Sequence, residues 1–141
     1  MQYRRSGSAV YAVALLALAF IWPFGGGTKV QLSVSSTVPG ANAFATIGHD
    51  RNQNTTVHLD AKFLPPPQSL SPAQSVYVVW IQAAGQPAQN KGQLMVNGSH
   101  EGQINIRTPY RDFEIFVTAQ PSALSNTPEG PRVIFGRITR Q

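Results

Sequence analysis

The chain has three histidines, six acids and no cysteine, so metal binding or carboxylate-histidine chemistry depends on whether these few residues converge. His49 and His58 flank a turn-rich segment and would face each other across it if it closes as a hairpin; His100 lies in a separate polar stretch. A metal site wants His or carboxylate ligands at short fixed spacings such as i, i+2 or i, i+4, and none of the three offers one. Without cysteine there is no thiolate zinc site, no Cys-His copper site, no thiol nucleophile and no disulfide framework. The histidines read as solvent-facing residues.

Asp50-x-Asn52-x-Asn54 imitates the opening of a calcium loop, but Thr55 stands where such a loop needs its Gly, and Ala61 where it needs a bidentate Glu. The segment reads instead as a hairpin turn built from residues that tolerate left-handed backbone. Ser99-His100-Glu101 holds the residue types of a hydrolase triad, yet adjacent side chains cannot form the relay, and no Gly-x-Ser-x-Gly elbow accompanies them. The acids are dispersed, none in an apolar run that would raise its pKa for acid catalysis. No catalytic residue, metal or cofactor is expected, and the chain reads as a non-enzyme. Tyr77, Trp80, Tyr110, Phe113 and Phe116 would form a carbohydrate platform if exposed together; their strand spacing and large apolar area favour the core.

The elements that position these residues are strands. From Thr28 the hydrophobic period is two: Val30, Leu32 and Val34 alternate with polar residues, predicting one strand. Residues 43–49 and 55–63 predict a hairpin around the Asp50 turn. Pro65-Pro66-Pro67 cannot donate to a ladder and, with Leu64 before them, predict a connection across one end of the sheets, as far as Pro72. Residues 76–81, Val-Tyr-Val-Val-Trp-Ile, are apolar on both faces, as in a central strand covered on both sides. Residues 85–92 read as a polar loop, 93–96 as a short strand before the Asn97-Gly98 turn, and 102–107, 112–119 and 132–138 as further strands. The expected fold is all-β: an immunoglobulin-like antiparallel β-sandwich of seven or eight strands over residues 28–141, with a barrel as the competing architecture.

Charged residues make up only 12% of the chain, and 12 Gly with 11 Pro supply its turns. The formal charge is +5, or +3 once Arg4 and Arg5 are set aside. The remaining Lys and Arg are scattered without a basic run, which argues against nucleic-acid binding.

Arg4 and Arg5 precede an uncharged apolar run over residues 9–24 that Pro23 interrupts, the order of a secretory signal. The run falls slightly short of the ~17–25 residues that span hydrocarbon. Residues 1–27 are expected to form a signal peptide, cut after Ala19 or after Gly27, or else an uncleaved N-terminal anchor helix with Arg4 and Arg5 inside and Trp22 at the outer interface. Either way the sandwich lies outside the cytoplasm, periplasmic, secreted or tethered, and touches the membrane only through residues 9–24 if these are retained.

Four segments resemble the C-terminal extracytoplasmic domain of anti-sigma-K factors: Tyr77-Val78-Val79-Trp80-Ile81-Gln82, Asn90-Lys91-Gly92-Gln93-Leu94, residues 113–121 ending in Thr118-Ala119-Gln120-Pro121, and residues 127–134 beginning Thr127-Pro128-Glu129-Gly130-Pro131. The resemblance covers about residues 76–138. It departs where the family's Glu-Pro-Ala-Gly-Gly turn is Gln120-Pro121-Ser122-Ala123-Leu124. It implies an exported sandwich with a sensing or protein-contact role. It does not carry over sigma-factor sequestration, which the family assigns to a cytoplasmic helical domain, because only eight residues precede the apolar run. The long polar connections are the expected contact surface, with Gln86, Gln89 and Asn90 in the first and Asn126 and Glu129 in the second. The partner would be an envelope protein or surface ligand of unspecified identity, with a secreted carbohydrate- or surface-binding module as the alternative. Nothing in the sequence specifies an oligomeric state.

Overall fold

A computed structural model describes residues 27–140, so the expected signal or anchor helix lies outside the described residues. Among the described residues no helix is long and apolar enough to cross a membrane. The described residues form nine strands: β1 Thr28–Gln31, β2 Ser33–Val34, β3 Asn42–His49, β4 Thr55–Lys62, β5 Val76–Gln82, β6 Gln89–Leu94, β7 Gly102–Thr108, β8 Asp112–Gln120 and β9 Arg132–Thr139. They pair antiparallel in two sheets, β1-β3-β4-β7 and β2-β9-β8-β5-β6. The layered all-β architecture is the expected one.

The alternation of β3 and β4 sends Ala43, Ala45, Ile47, Val57, Leu59 and Ala61 into the space between the sheets, where they meet Tyr77, Val79 and Ile81 of β5 and Ile115 and Val117 of β8. The small residues of β3 leave room for the large ones opposite, which keeps the layer close-packed. The predicted hairpin closes from Asn42↔Lys62 to His49↔Thr55. β5 sits inside its sheet between β8 and β6, and its second face is buried too: Val78 and Trp80 are fully covered.

Two boundaries differ from the sequence expectation. The single strand expected over residues 28–34 is two, because the chain changes sheets at Leu32: β1 pairs with β3, β2 pairs with β9, and Leu32 donates its N–H to Ala43 O at 2.9 Å. Leu32 is buried while Val30 and Val34 are only half-buried, and its side chain lies so close to Gly136 that a Cβ there would meet Leu32 Cδ2 at 2.6 Å. The switch raises the strand count to nine. The strand expected over residues 93–96 instead runs over Gln89–Leu94, so the loop before it ends at Ala88. β6 is an edge strand with polar side chains on its open side, and a bulge near Lys91 breaks its register; both give it the composition of a loop.

The proline connection closes one end. Leu64, Pro67 and Leu70 are buried there, with a 3-10 turn over Pro67–Ser69. The Tyr77 hydroxyl donates to Pro65 O at 2.7 Å, tying this plug to β5. Burial pushes the Tyr77 phenol from its ordinary 10.0 up to about 12. Because the folded-state pKa is the higher one, the neutral phenol's contribution to stability is whole below pH 10 and is lost as pH rises toward 12. Denaturant midpoints measured across that range should fall more steeply for the wild type than for Tyr77→Phe. Parallel curves would show that other groups drive alkaline unfolding.

Candidate functional site

The outer face of the five-stranded sheet carries a second, smaller core. Period two points Val78 and Trp80 of β5, Phe116 of β8 and Phe135 of β9 away from the main core. Trp80 and Phe116 stack with centroids 6.5 Å apart and planes 16° from parallel. The Arg132 guanidinium lies 3.9 Å from the Phe116 centroid and pairs with Glu114 at 2.8 Å. Such a surface cannot be left wet without cost, and it is roofed by the connection between β8 and β9, which folds back so that Ala123, together with Ala88 from the β5–β6 loop, packs on it.

Polar groups hold this strap in place. Trp80 Nε1 donates to Thr118 Oγ1 at 2.9 Å, Thr118 Oγ1 donates to Gln120 Oε1 at 2.6 Å, and Gln120 Nε2 donates to Ser122 O at 2.7 Å. Gln120 Oε1 also accepts from the Glu129 N–H at 3.3 Å, so a fully buried amide is satisfied at both ends and fixes both ends of the loop. From the edge strand, Asn90 Nδ2 donates to Ala123 O and to Ser125 O, each at 2.9 Å. Ser122 Oγ accepts from the Leu124 N–H at 3.1 Å, and the Ser125 hydroxyl donates to the Glu129 carboxylate. At the crest of this pinned loop Leu124 is 89% exposed.

The five residues expected at the contact surface divide accordingly. Asn90 and Glu129 meet at the strap, on either side of Ser125, and Asn126 is exposed beside them. Gln89 and Asn90 belong to strand β6 rather than to a loop. Gln86 stands apart in the β5–β6 loop, where its carbonyl accepts from Gln82 Nε2 at 3.0 Å. Leu124, Gln120 and Ser122 carried no signal in the sequence, because an exposed Leu in a polar loop and a buried Gln before a Pro look ordinary until the loop's path is known.

The other candidates resolve into structure. Tyr77, Phe113, Trp80 and Phe116 are all buried and Tyr110 is half-buried against the main core, so these five do not form an exposed platform. His49 and His58 do not face each other: the hairpin register sets His49 opposite Thr55 and His58 opposite Thr46, and His58 Nδ1 instead meets Asn105 Oδ1 at 2.7 Å. Asp50 caps its own turn, accepting from the N–H of Asn52 and Asn54 at 2.9 and 3.0 Å. Desolvation there pushes its carboxyl up, but the hydrogen bonds from Asn54 and Asn52 and the Arg107 guanidinium outweigh this and hold it below its ordinary value. Asn97 Oδ1 likewise accepts from the N–H of Ser99 and Glu101, making Ser99-His100-Glu101 a turn. Among the described residues no three His, Asp or Glu side chains gather closely enough to hold a metal ion.

The outer face of the four-stranded sheet is open. Phe44 lies half-buried in its middle with Lys29 Nζ 4.3 Å from the ring centroid, and its rung continues through Asp60 to Gln103. Asp60 Oδ1 is shielded from solvent without a hydrogen-bond partner. An open cleft of about 740 Å³ lies where β1 and β9 diverge, with Val30, Ile47, His49, Ile138 and Arg140 in its wall. No family model matches the chain, and no curated protein or solved structure matches it.

Proposed function

We propose that this chain is an exported, non-catalytic β-sandwich module, held at or released from the membrane by its N-terminal segment, that acts by contact with another envelope protein. The observation that supports this best is Leu124. An apolar side chain 89% exposed on a loop fixed by Asn90 and Gln120 is a preformed knob, ready to be buried by a partner with little further ordering of the loop. Asn126 and Glu129 flank it with hydrogen-bonding groups of the kind that rim a protein interface. The dispersal of the acids and histidines favours binding over turnover. The likeness to the extracytoplasmic domain of anti-sigma-K factors points the same way, toward sensing or protein contact. The order β9-β8-β5-β6 supports an immunoglobulin-like reading of the second sheet, whereas the hairpin β3–β4 within the first departs from the usual strand sequence of that fold.

A carbohydrate- or surface-binding role has its own observation in Phe44 and the unpartnered Asp60 oxygen on the open polar face. One experiment separates the two. With a photo-crosslinking residue at position 124, the protein expressed in its envelope should give a discrete heterodimeric product that a crosslinker at Thr139 does not give. No product at 124, together with retention on envelope polysaccharide that Phe44→Ala abolishes, would replace the protein-contact reading with the second one.

A further inference from the structure

Five arginines gather at one end of the domain's long axis, and that is the end where the chain enters it. Pairing of Thr28 with Ile47, Thr55 with Thr108 and Asp112 with Thr139 puts Gly27, the β3–β4 turn, the β7–β8 turn and the end of β9 at one end of the sandwich. Arg51, Arg107, Arg111, Arg137 and Arg140 are all at that end. Asp50 and Asp112 are there too, but each is taken by one guanidinium, Asp50 by Arg107 at 3.1 Å and Asp112 by Arg137 at 3.0 Å. Arg51, Arg111 and Arg140 have no carboxylate partner among the described residues. Arg51 and Arg111 are exposed in their turns, and Arg140 is pinned beside them, donating to Thr55 Oγ1 at 2.8 Å and Gln53 O at 2.7 Å. At the far end Glu101 and Glu129 are balanced by Lys62 and Arg132, so no such excess of cations gathers there.

We infer that the end of the domain at which residue 27 enters docks on the phosphates of an anionic lipid surface, with Arg51, Arg111 and Arg140 as the contacting cations. The occupant follows from charge complementarity and from continuity with the apolar run of residues 9–24, and the inference rests on the reading of that run as a membrane-targeting segment. Only Gly25, Gly26 and Gly27 separate Phe24 from β1. Fully extended, three residues reach about 10 Å. A linker this short holds the entry end of the domain next to any bilayer that contains the apolar run and brings the arginines at that end toward its headgroups, where charge interactions decay over ~8 Å at physiological salt. Each cation near an anionic surface strengthens partitioning by about fivefold.

The test uses the full chain with two kinds of vesicle, phosphatidylcholine alone and phosphatidylcholine mixed with phosphatidylglycerol, and reads both flotation and amide hydrogen exchange over residues 50–54 and 108–112. Flotation with both, and slowed exchange in the two turns only with phosphatidylglycerol, is the expected result. The protection should disappear in Arg51→Glu/Arg111→Glu, persist in Arg51→Lys/Arg111→Lys, and fade as salt is raised. Flotation with both vesicles but equal exchange in the turns would overturn the docking surface and leave the targeting segment standing. Flotation only with phosphatidylglycerol, weakened by more than about 30-fold by the double reversal, would support the docking surface and overturn the targeting segment. Flotation with neither would overturn both.

Discussion

Trp80→Ala should destabilise the domain by about 3–5 kcal/mol, the usual cost of emptying a large aromatic site in a core. Trp80 is fully buried on a face of its sheet that loops cover, and truncation removes three things together: the apolar area, the stack on Phe116 and the indole N–H to Thr118 Oγ1. Domains of this size have about 5–15 kcal/mol in total, so a large share of the stability would go. Trp80→Phe separates the contributions, since it keeps most of the area and loses the hydrogen bond, leaving Thr118 Oγ1 without its donor while it still donates to Gln120. Denaturant unfolding followed by circular dichroism gives the difference. A loss below about 1 kcal/mol, the range of surface substitutions, would mean that the strap collapses into the vacated space or does not cover the ring in solution.

Gly130→Ala should be as damaging for an unrelated reason. A Cβ at this position would sit 1.7 Å from Ala119 O and 2.8 Å from Ala119 C, and both are backbone atoms of a central strand that cannot swing aside as a side chain tip can. The same stretch carries the register shift between Val117 and Thr118, and the Ala119 N–H donates to Pro131 O at 3.1 Å, so the last turn of the strap is pressed directly against β8. Relief requires moving the start of β9 away from β8 and giving up that hydrogen bond. Overpacking costs about 1–3 kcal/mol where side chains can adjust, and this backbone clash should reach or exceed the upper figure. Gly98→Ala is the matched control, because nothing lies within 4 Å of its Cβ position. Equal unfolding midpoints for the two variants would show that residues 121–131 do not hold this path.

The hairpin β3–β4 and the strands β7, β8 and β9 were legible in the sequence because each has one face in the core and one outside, or an apolar run bounded by turn residues, and period two reports that directly. Burial of Trp80 was legible from the β-branched residues around it. The switch at Leu32 was not, since alternation continues unbroken through a strand that changes sheets: the side chains still point in and out, and only the hydrogen-bond partners change. Residues 89–92 were illegible because an edge strand with a bulge needs little apolar character. Of the expected contact residues, Asn90 has loop-like surroundings in the sequence but lies on a strand, gripping a loop that is distant in sequence. Leu124 could not have been found, because its exposure depends on a carbonyl and amide network closed by Asn90, Gln120 and Ser122.

The change of sheet at Leu32 also sets how the domain bears load. β1 runs away from the entry end, so tension applied at residue 27 acts along the strand, and its hydrogen bonds to β3 lie across the pull and are strained simultaneously instead of being unzipped one at a time. Beyond Leu32 the same tension reaches β2, whose two residues grip Ile134 and Phe135 of the opposite sheet. Both layers are therefore riveted to the one segment that a tether would tug, and peeling either sheet means shearing the first strand from the other. Were the chain tethered through its N-terminal segment, a drag on anything bound at the strap would pass to the tether through this joint, with the sandwich behaving as a stiff link in the line of force.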